Sequence, residues 1–232
     1  MPRPCPRSRT PDAGLLIRVK ICGLNNAEGL DAAVEACADW VGYNFFERSP
    51  RFVTPAQAAA FSDHVLGGPK RVGLFVNPTD AAIADTLDIF KLDVLQIYAP
   101  AGRAMEIRGT FNLPVWRSVH VTTVADLPTD TDEDSFVIEP RPPAGATRPG
   151  GNAVNMDWSV LAGWSVPRPW LLAGGLRPGN VVEAIRASGA EAVDVSSGVE
   201  SAPGVKSPEL IREFIRLARL PDAGESGAAP PT

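Results

Sequence analysis

Cys22 is one of three cysteines in the chain and ends a short apolar run that leads into the polar segment GLNN. Lys20 lies two residues earlier, and in an extended strand two such residues point to the same side. A neighbouring ammonium favours the thiolate and lowers the pKa of a thiol from about 8.5 towards neutral pH. Cys22 is therefore a candidate reactive thiolate. The alternative is a small buried hydrophobic residue, as expected for Cys37 on the first helix.

Two turns made of small residues, LAGGLRPGN and DVSSGVE, could bind an anion. Their candidate phosphate-binding residues are Gly174, Gly175, Ser196, Ser197 and Gly198. Small residues let backbone N–H groups approach a ligand closely, and each turn leads towards a helix or short turn that can point its amides at an anion. One such turn alone would suggest only a tight bend, but two in these positions favour a phosphate site. Gly150 and Gly151 add weaker evidence, because Pro-Gly-Gly is common in loops.

The acidic composition limits the partners that the protein can bind. The formal net charge is −5, so no basic field is available to attract nucleic acid or an anionic membrane surface. The odd number of cysteines and the lack of a CxxC spacing disfavour a disulfide framework and a zinc site. We therefore expect no metal, and any phosphate must be bound by local contacts.

Both ends of the chain differ in composition from the rest. Residues 1–14 and 221–232 are rich in Pro, Gly, Ala and Ser, so we expect disordered tails around a single domain at residues 15–220. The proline-rich start lacks the apolar core of a signal peptide, and no run approaches the roughly 18 apolar residues of a membrane span. These features predict a soluble protein of a reducing compartment, the cytoplasm.

Short apolar runs alternate with helix-forming segments between the tails. Eight runs are candidate strands: LLIRVKI, WVGYNFF, RVGLFV, DVLQIY, PVWRSVHV, SFVIE, PWLLAG and AEAVDVS. Most gaps carry helix start signals such as Thr54-Pro55 and Ser207-Pro208, but the fifth and sixth hold at most a short helix or turn. This order predicts an α/β fold, a closed (β/α)8 TIM barrel with shortened or irregular fifth and sixth helical segments. An open doubly wound sheet is the alternative, but the first turn, KICGLNN, lacks a GxGxxG fingerprint.

In such a barrel the active site lies at the carboxyl ends of the strands, where the βα loops meet. The polar or small residues predicted at these ends are Cys22, Asn44, Arg51, Gln96, Glu139, Gly174, Gly175, Asp194, Ser196 and Ser197. Residues far apart in the chain are thus expected to share one site.

Several of these stretches resemble the phosphoribosylanthranilate isomerase family of tryptophan biosynthesis. They are KICGLNN, ERSPRFVTPAQA, VGLFVNP, LDVLQIY, PGGNAVNMDW, LAGGLRPGNV and VDVSSGVESAPGVKSPELIREFI. The resemblance spans Val19 to Ala218 and implies a (β/α)8 barrel that works without a cofactor. It implies an Amadori rearrangement of N-(5′-phosphoribosyl)anthranilate: a general acid protonates the ribose ring oxygen, and a general base removes the C2′ proton.

The resemblance also implies roles for the candidate residues. Cys22 would be the base, Arg51 would bind the substrate carboxylate, and Lys20 and Asp194 would contact the substrate. The phosphate would be held by Gly174, Gly175, Ser196, Ser197 and Gly198, together with Gly150 and Gly151 of the sixth loop. A planar guanidinium suits two-point carboxylate binding, although Arg51 could also be a solvated loop residue.

The chain departs from the family at the general acid. The family has an aspartate at the end of strand six, where this chain has Glu139 in SFVIEPRPP. Glu139 keeps the carboxyl chemistry but moves it by one methylene, and a misplacement of that order can cost about 100-fold in rate. Tyr98 in QIYAP stands where members often have the histidine of QLHG.

The retained base and altered acid leave three hypotheses. The first is a phosphoribosylanthranilate isomerase with Glu139 as its acid. The second is a diverged paralogue that acts on another N-phosphoribosyl amine, and the third is a non-catalytic phosphosugar-binding barrel. All three predict a small phosphosugar ligand, and neither nucleic acid nor membrane as partner. The resemblance implies a monomer, with a homodimer as the alternative.

Overall fold

A computed structural model describes residues 16–65, 67–129, 132–151, 156–166 and 168–220. Eight parallel strands close into a barrel in sequence order, which confirms the expected (β/α)8 fold. The strands are β1 (Arg18–Cys22), β2 (Trp40–Asn44), β3 (Lys70–Val76), β4 (Val94–Tyr98), β5 (Val115–Val121), β6 (Ser135–Pro140), β7 (Trp170–Leu172) and β8 (Ala192–Val195). The tails expected at residues 1–14 and 221–232 lie outside the described residues.

Helices connect most of the strands. They are α1 (Ala27–Glu35), α2 (Pro55–Ser62), α3 (Asp80–Ile89), α4 (Ala101–Phe111), α5 (Val181–Ser188) and α6 (Pro208–Ala218). As expected, Thr54 caps α2 with Pro55 in its first turn, and Ser207 caps α6 before Pro208. In the described part of the chain, no helix is both long and apolar enough to cross a membrane.

The fifth and sixth connections are irregular, as the sequence predicts. Their only described helical segments are the 3₁₀ turns Val124–Asp126 and Trp158–Leu161. The fifth stretch contains one proline, Pro128, whereas the sixth contains five, and proline interrupts helical hydrogen bonding. After β8, a 3₁₀ turn at Ser197–Val199 leads into a small antiparallel pair, β9 (Glu200–Ala202) and β10 (Val205–Lys206), before α6.

The strands present two different faces, because successive side chains alternate. The outward face packs apolar residues against the helices in the main core. A second cluster holds Trp40, Val72, Val94, Trp116, Val137, Leu171, Ala173 and Ala192. Two residues further along four of these strands come the buried polar residues Gln96, Ser118, Glu139 and Asp194. The barrel interior is thus apolar near one end and polar near the carboxyl ends of the strands.

Cys37 corrects one expectation. It lies two residues beyond α1, partly exposed, in a left-handed conformation with φ 63°. It is also disulfide-bonded. The description of Cys37 as a small buried residue on the first helix is therefore wrong.

Candidate active site

One cleft at the carboxyl ends of the strands gathers most of the predicted site residues. Those that line it are Cys22, Arg51, Glu139, Gly150, Gly151, Gly174, Gly175, Asp194, Ser196 and Ser197. Asn44 and Gln96, which were expected at strand ends, line it as well. Lys20 and Gly198 are not among the lining residues. Barrel closure thus joins residues from both halves of the chain.

Lys20 lies next to Cys22 inside the barrel with none of its surface exposed. Its Nζ donates to Asp194 Oδ1 at 2.9 Å, because β1 and β8 pair with Lys20 opposite Asp194. Nζ is also within hydrogen-bonding reach of the Cys22 sulfur. Gly42, opposite Cys22 on β2, leaves room for both groups: a Cβ there would lie 3.0 Å from the sulfur and 3.2 Å from Nζ. The strand register therefore builds a Cys–Lys–Asp cluster.

This cluster does not lower the thiol pKa as expected from the sequence. Burial is the largest influence and raises the pKa of Cys22, Lys20 lowers it, and Asp194 raises it again. The net result is a pKa above the ordinary value of 9.0. Asp194 offsets part of the positive charge of Lys20, and the barrel interior removes the water that would stabilise a thiolate. This balance favours the neutral thiol of Cys22 at neutral pH.

Glu139 ends β6 and is almost completely buried. Burial raises the pKa of its carboxyl to about 8, although the nearby Tyr98 hydroxyl and Lys20 act in the opposite direction. Within the described residues, its Oε1 has no hydrogen-bond partner. Burial therefore favours the protonated form of this carboxyl at neutral pH.

His120 and Tyr98 lie beside Glu139. His120 Nε2 donates to the carbonyl of Pro149 at 2.9 Å, which ties the sixth loop to β5, and burial lowers the pKa of the ring. His120 therefore links the end of β5 to the sixth loop. Tyr98 was noted in the sequence only as a departure from the family. Its hydroxyl lies near Glu139, because a Cβ on Gly150 would contact both groups.

Arg51 forms a two-point ion pair with Glu200. Arg51 Nε lies 2.6 Å from Oε1, and Nη2 lies 2.8 Å from Oε2. Lys206 Nζ also donates to Oε1 at 2.8 Å, and Glu200 Oε2 accepts from the Gly204 amide. Arg51 is thus not a solvated loop residue. The other edge of the guanidinium, formed by Nη1 and one N–H of Nη2, is not used by Glu200.

Sequence reasoning missed Glu200 and Lys206 as members of the site. Both belong to the stretch DVSSGVESAPGVK, where we assigned roles only to the small residues. Two charged residues in a small-residue loop were the available signal. Their pairing with Arg51 depends on contacts between distant parts of the chain.

The two small-residue turns lie side by side at one end of the cleft. Gly174 and Gly175 have left-handed φ angles of 83° and 66°, which other residues adopt at a cost. A Cβ on Gly198 would lie 1.8 Å from the Leu176 carbonyl oxygen, so glycine lets the two turns pack together. Gly174, Gly175, Ser196 and Ser197 face the cleft, whereas Gly198 supports them from behind.

No group of His, Cys, Asp and Glu side chains within the described ranges is arranged to hold a metal ion. The side chains in the cleft include groups that can transfer protons and groups that can donate to an anion. A thiol and a protonated carboxyl line one cleft, with an arginine and two small-residue turns around them.

Comparison with known proteins identifies the family. Residues 19–217 match the family PRAI, N-(5′-phosphoribosyl)anthranilate (PRA) isomerase. The chain is 56% identical over 205 residues to N-(5′-phosphoribosyl)anthranilate isomerase of Acidiphilium cryptum, which covers 88% of this chain and 98% of the relative. It is 50% identical over 214 residues to the isomerase of Paracoccus denitrificans, with 89% and 99% covered.

Solved structures agree with the sequence relatives. Phosphoribosyl anthranilate isomerase from Thermotoga maritima superposes with a TM-score of 0.75 at 32% identity, over 88% of this chain and 98% of the other. A phosphoribosyl anthranilate isomerase in complex with reduced 1-(o-carboxyphenylamino)-1-deoxyribulose 5-phosphate gives 0.71 at 30% identity, with the same shares covered. The barrel, the cleft and these similarities agree, and the chain belongs to the N-(5′-phosphoribosyl)anthranilate isomerase family.

Proposed function

We propose that this protein converts N-(5′-phosphoribosyl)anthranilate into 1-(o-carboxyphenylamino)-1-deoxyribulose 5-phosphate, a step of tryptophan biosynthesis. The observation that carries the proposal is the joint placement of Cys22 and Glu139 in one cleft that also holds Arg51 and the small-residue turns. The reaction needs a base and an acid on one substrate with a carboxylate and a phosphate. In the cleft, Cys22 serves as the base, Glu139 as the acid, Arg51 as the carboxylate ligand and the small-residue turns as the phosphate site.

Glu139 is the proposed general acid. It protonates the ribose ring oxygen, the ring C–O bond breaks, and the nitrogen lone pair forms the C1′=N bond of a Schiff base. A carboxyl with a pKa of about 8 is mostly protonated at neutral pH and can donate. Its Oε1 is buried without a hydrogen-bond partner within the described residues, an environment that favours the protonated carboxyl.

Cys22 is the proposed base. It removes the proton from C2′, and the electrons of that C–H bond form an enolamine with the iminium as electron sink. Because burial raises the pKa of Cys22, the thiolate is its minor form at neutral pH. The ammonium of Lys20 stabilises that thiolate, because it lowers the pKa of Cys22. Asp194 accepts a hydrogen bond from Lys20 Nζ and so fixes the position of the ammonium.

Arg51 is the proposed ligand of the anthranilate carboxylate. Glu200 occupies the Nε–Nη2 edge, which leaves the Nη1–Nη2 edge for two hydrogen bonds to the substrate. Gly151 faces Nη1, because a Cβ there would lie 2.8 Å from it. A glycine at this position keeps the approach to the arginine open.

The substrate phosphate is proposed to bind at the small-residue turns. Gly174, Gly175, Ser196 and Ser197 line that part of the cleft. Their backbone N–H groups and the two serine hydroxyls are the donors that an anion requires. Gly150 and Gly151 of the sixth loop also line the cleft.

All of the proposed residues come from one chain, so we propose that the monomer is the active unit and needs no cofactor. The biosynthetic role of the family supports a cytoplasmic location. Light scattering of the purified protein at working concentration checks the first point, since a stable dimer would contradict it.

Fluorescence of the substrate tests the proposed activity directly. Purified protein mixed with N-(5′-phosphoribosyl)anthranilate should abolish the anthranilate fluorescence and release the deoxyribulose product, identified by mass and by its NMR spectrum. The Cys22→Ala variant, prepared identically, is the control for contaminating host enzyme. No turnover above that control would contradict the proposal.

A further inference from the structure

The side chain of Lys206 is fully buried, and its ammonium binds two residues next to the proposed anion sites. Nζ donates to the carbonyl oxygen of Ser196 at 2.9 Å and lies 3.4 Å from the Ser196 hydroxyl. It also donates to Glu200 Oε1 at 2.8 Å. An ammonium has three N–H donors, and these three acceptors match them. Lys206 does not line the cleft, so it acts on a ligand through Ser196 and Glu200.

The hairpin of β9 and β10 sets this position. Lys206 lies opposite Glu200 in the strand pair, and side chains opposite each other on two strands are close enough to interact. A Cβ on Gly204, in the turn of the hairpin, would clash with the carbonyl oxygen of Pro50. Glycine therefore lets the hairpin pack against the residue that precedes Arg51.

The bond to the Ser196 carbonyl orients a candidate phosphate donor. The peptide unit between Ser196 and Ser197 is planar and trans, so its C=O and N–H point in opposite directions. Because Lys206 holds the carbonyl, it also fixes the direction of the Ser197 N–H. Both serines line the part of the cleft where we propose that the phosphate binds. Loss of the ammonium would free this peptide unit to rotate.

Glu200 shares one negative charge between two buried cations, Arg51 and Lys206. Although burial acts to raise it, these cations hold the pKa of Glu200 below its ordinary value, which favours the carboxylate. Burial lowers the pKa of Lys206 to about 8, so the ammonium is still its major form at neutral pH. The cluster thus holds two positive charges and one negative charge. Without Lys206, Glu200 would neutralise Arg51 and weaken its attraction for a substrate carboxylate.

We propose that Lys206 is a positioning residue for both anionic groups of the substrate: it orients the peptide unit of Ser196 and Ser197 for the phosphate, and through Glu200 it holds Arg51 for the carboxylate. This inference rests on the proposed function, which places the two anions at these sites. It predicts that one substitution outside the cleft weakens binding at both sites, by two separable routes.

Lys206→Met tests both routes, because methionine has a similar length and lacks the ammonium. Inorganic phosphate is the probe for the small-residue turns, and anthranilate is the probe for Arg51. We expect the Kd of each probe to rise at least about 5-fold at pH 7, since the loss of a hydrogen bond from a charged group has an effect of that order. Titration calorimetry measures both Kd values without any need for turnover.

A double-mutant cycle separates the two routes. Glu200→Gln removes the charge through which Lys206 acts on Arg51. In this background, Lys206→Met should change the Kd of anthranilate less than about 2-fold, whereas the Kd of inorganic phosphate should still rise about 5-fold. A general loss of packing would not remove the effect on one probe and keep the effect on the other.

Lys70→Met is the matched control, because Lys70 is an exposed lysine at the start of β3, at the end of the barrel opposite the cleft. It should leave both Kd values unchanged, and thermal unfolding verifies that each variant is folded. Lys206→Gln, whose side chain is shorter and uncharged, takes the place of Lys206→Met if the methionine variant does not fold, with the same two expected increases.

An unchanged Kd of either probe in Lys206→Met would overturn the inference. An effect on anthranilate that persists in the Glu200→Gln background would overturn it as well, because Lys206 would then act without Glu200. A wild type that binds both probes in the expected pattern but does not convert N-(5′-phosphoribosyl)anthranilate would refute the proposed function and support the inference. A wild type that binds neither probe would refute both.

Discussion

Glu200 binds Arg51 through two hydrogen bonds, and each side chain is only 4% exposed. Lys206 donates to the same carboxylate, so Glu200 compensates two buried cations. A charge buried with a partner costs far less than one left alone. The pair therefore fixes the guanidinium and leaves one of its edges towards the cleft.

We expect Arg51→Lys to raise KM by at least about 10-fold with a smaller change in kcat. Lysine provides a point charge on a flexible stem and cannot bind Glu200 and a carboxylate through two parallel edges. Steady-state kinetics with N-(5′-phosphoribosyl)anthranilate measures the effect. Arg212→Lys is the control, because Arg212 is half-exposed on α6 and pairs with Glu35. A KM within 2-fold of the wild type would remove Arg51 from the carboxylate site.

We expect Cys22→Ala to lower kcat by more than about 1,000-fold while binding persists. Removal of a general base costs about 100- to 10,000-fold, and no other thiol or imidazole among the described residues lines the cleft. Reduced 1-(o-carboxyphenylamino)-1-deoxyribulose 5-phosphate can serve as the binding probe in calorimetry. Binding within about 5-fold of the wild type would show that only the chemistry is lost. Turnover within 10-fold of the wild type would assign the base elsewhere.

We expect Glu139→Asp to lower kcat by about 10- to 100-fold, although aspartate is the acid usual in the family. Shortening the side chain by one methylene withdraws the carboxyl from Tyr98 and from the cleft at once. The comparison with Glu139→Gln is informative, because Asp keeps the acid whereas Gln lacks it. A faster Glu139→Asp enzyme would mean that the glutamate is a handicap and that the surrounding residues still suit aspartate.

The sequence predicted the barrel and the residues at its rim, because both follow from local patterns. Short apolar runs between helix signals identified all eight strands, and their carboxyl ends then fixed the site. The same logic placed Cys22 and Glu139 in one cleft, although β1 and β6 are far apart in the sequence.

The pairing of side chains was not predictable in this way. Arg51 and Glu200 are separated by 149 residues, and only folding brings them together. The sequence showed that Lys20 neighbours Cys22, but it did not show that Asp194 offsets the charge of Lys20 or that burial outweighs it. The direction of a pKa shift depends on the balance of burial and charge, which requires the three-dimensional arrangement.

Glu139 should also give the stability of the protein a distinctive pH dependence. The pKa of its carboxyl is about 8 in the folded protein, against an ordinary 4.5. Between these values the folded state holds a proton that the unfolded state has released, so the free energy of unfolding falls as pH rises through this window. Lys206, whose pKa is lowered to about 8, contributes the opposite trend above that pH.

The difference between the wild type and Glu139→Gln isolates this contribution, because Lys206 is common to both proteins. We expect the Tm of the wild type relative to Glu139→Gln to fall by on the order of 5 °C from pH 5 to pH 8, since a few kcal/mol are at stake. Calorimetry at several pH values measures it. Glu213→Gln, which changes an exposed carboxylate on α6, should give no such trend. A constant difference across the window would mean that Glu139 is ionised in the folded protein at neutral pH, and it would then be unable to serve as the acid.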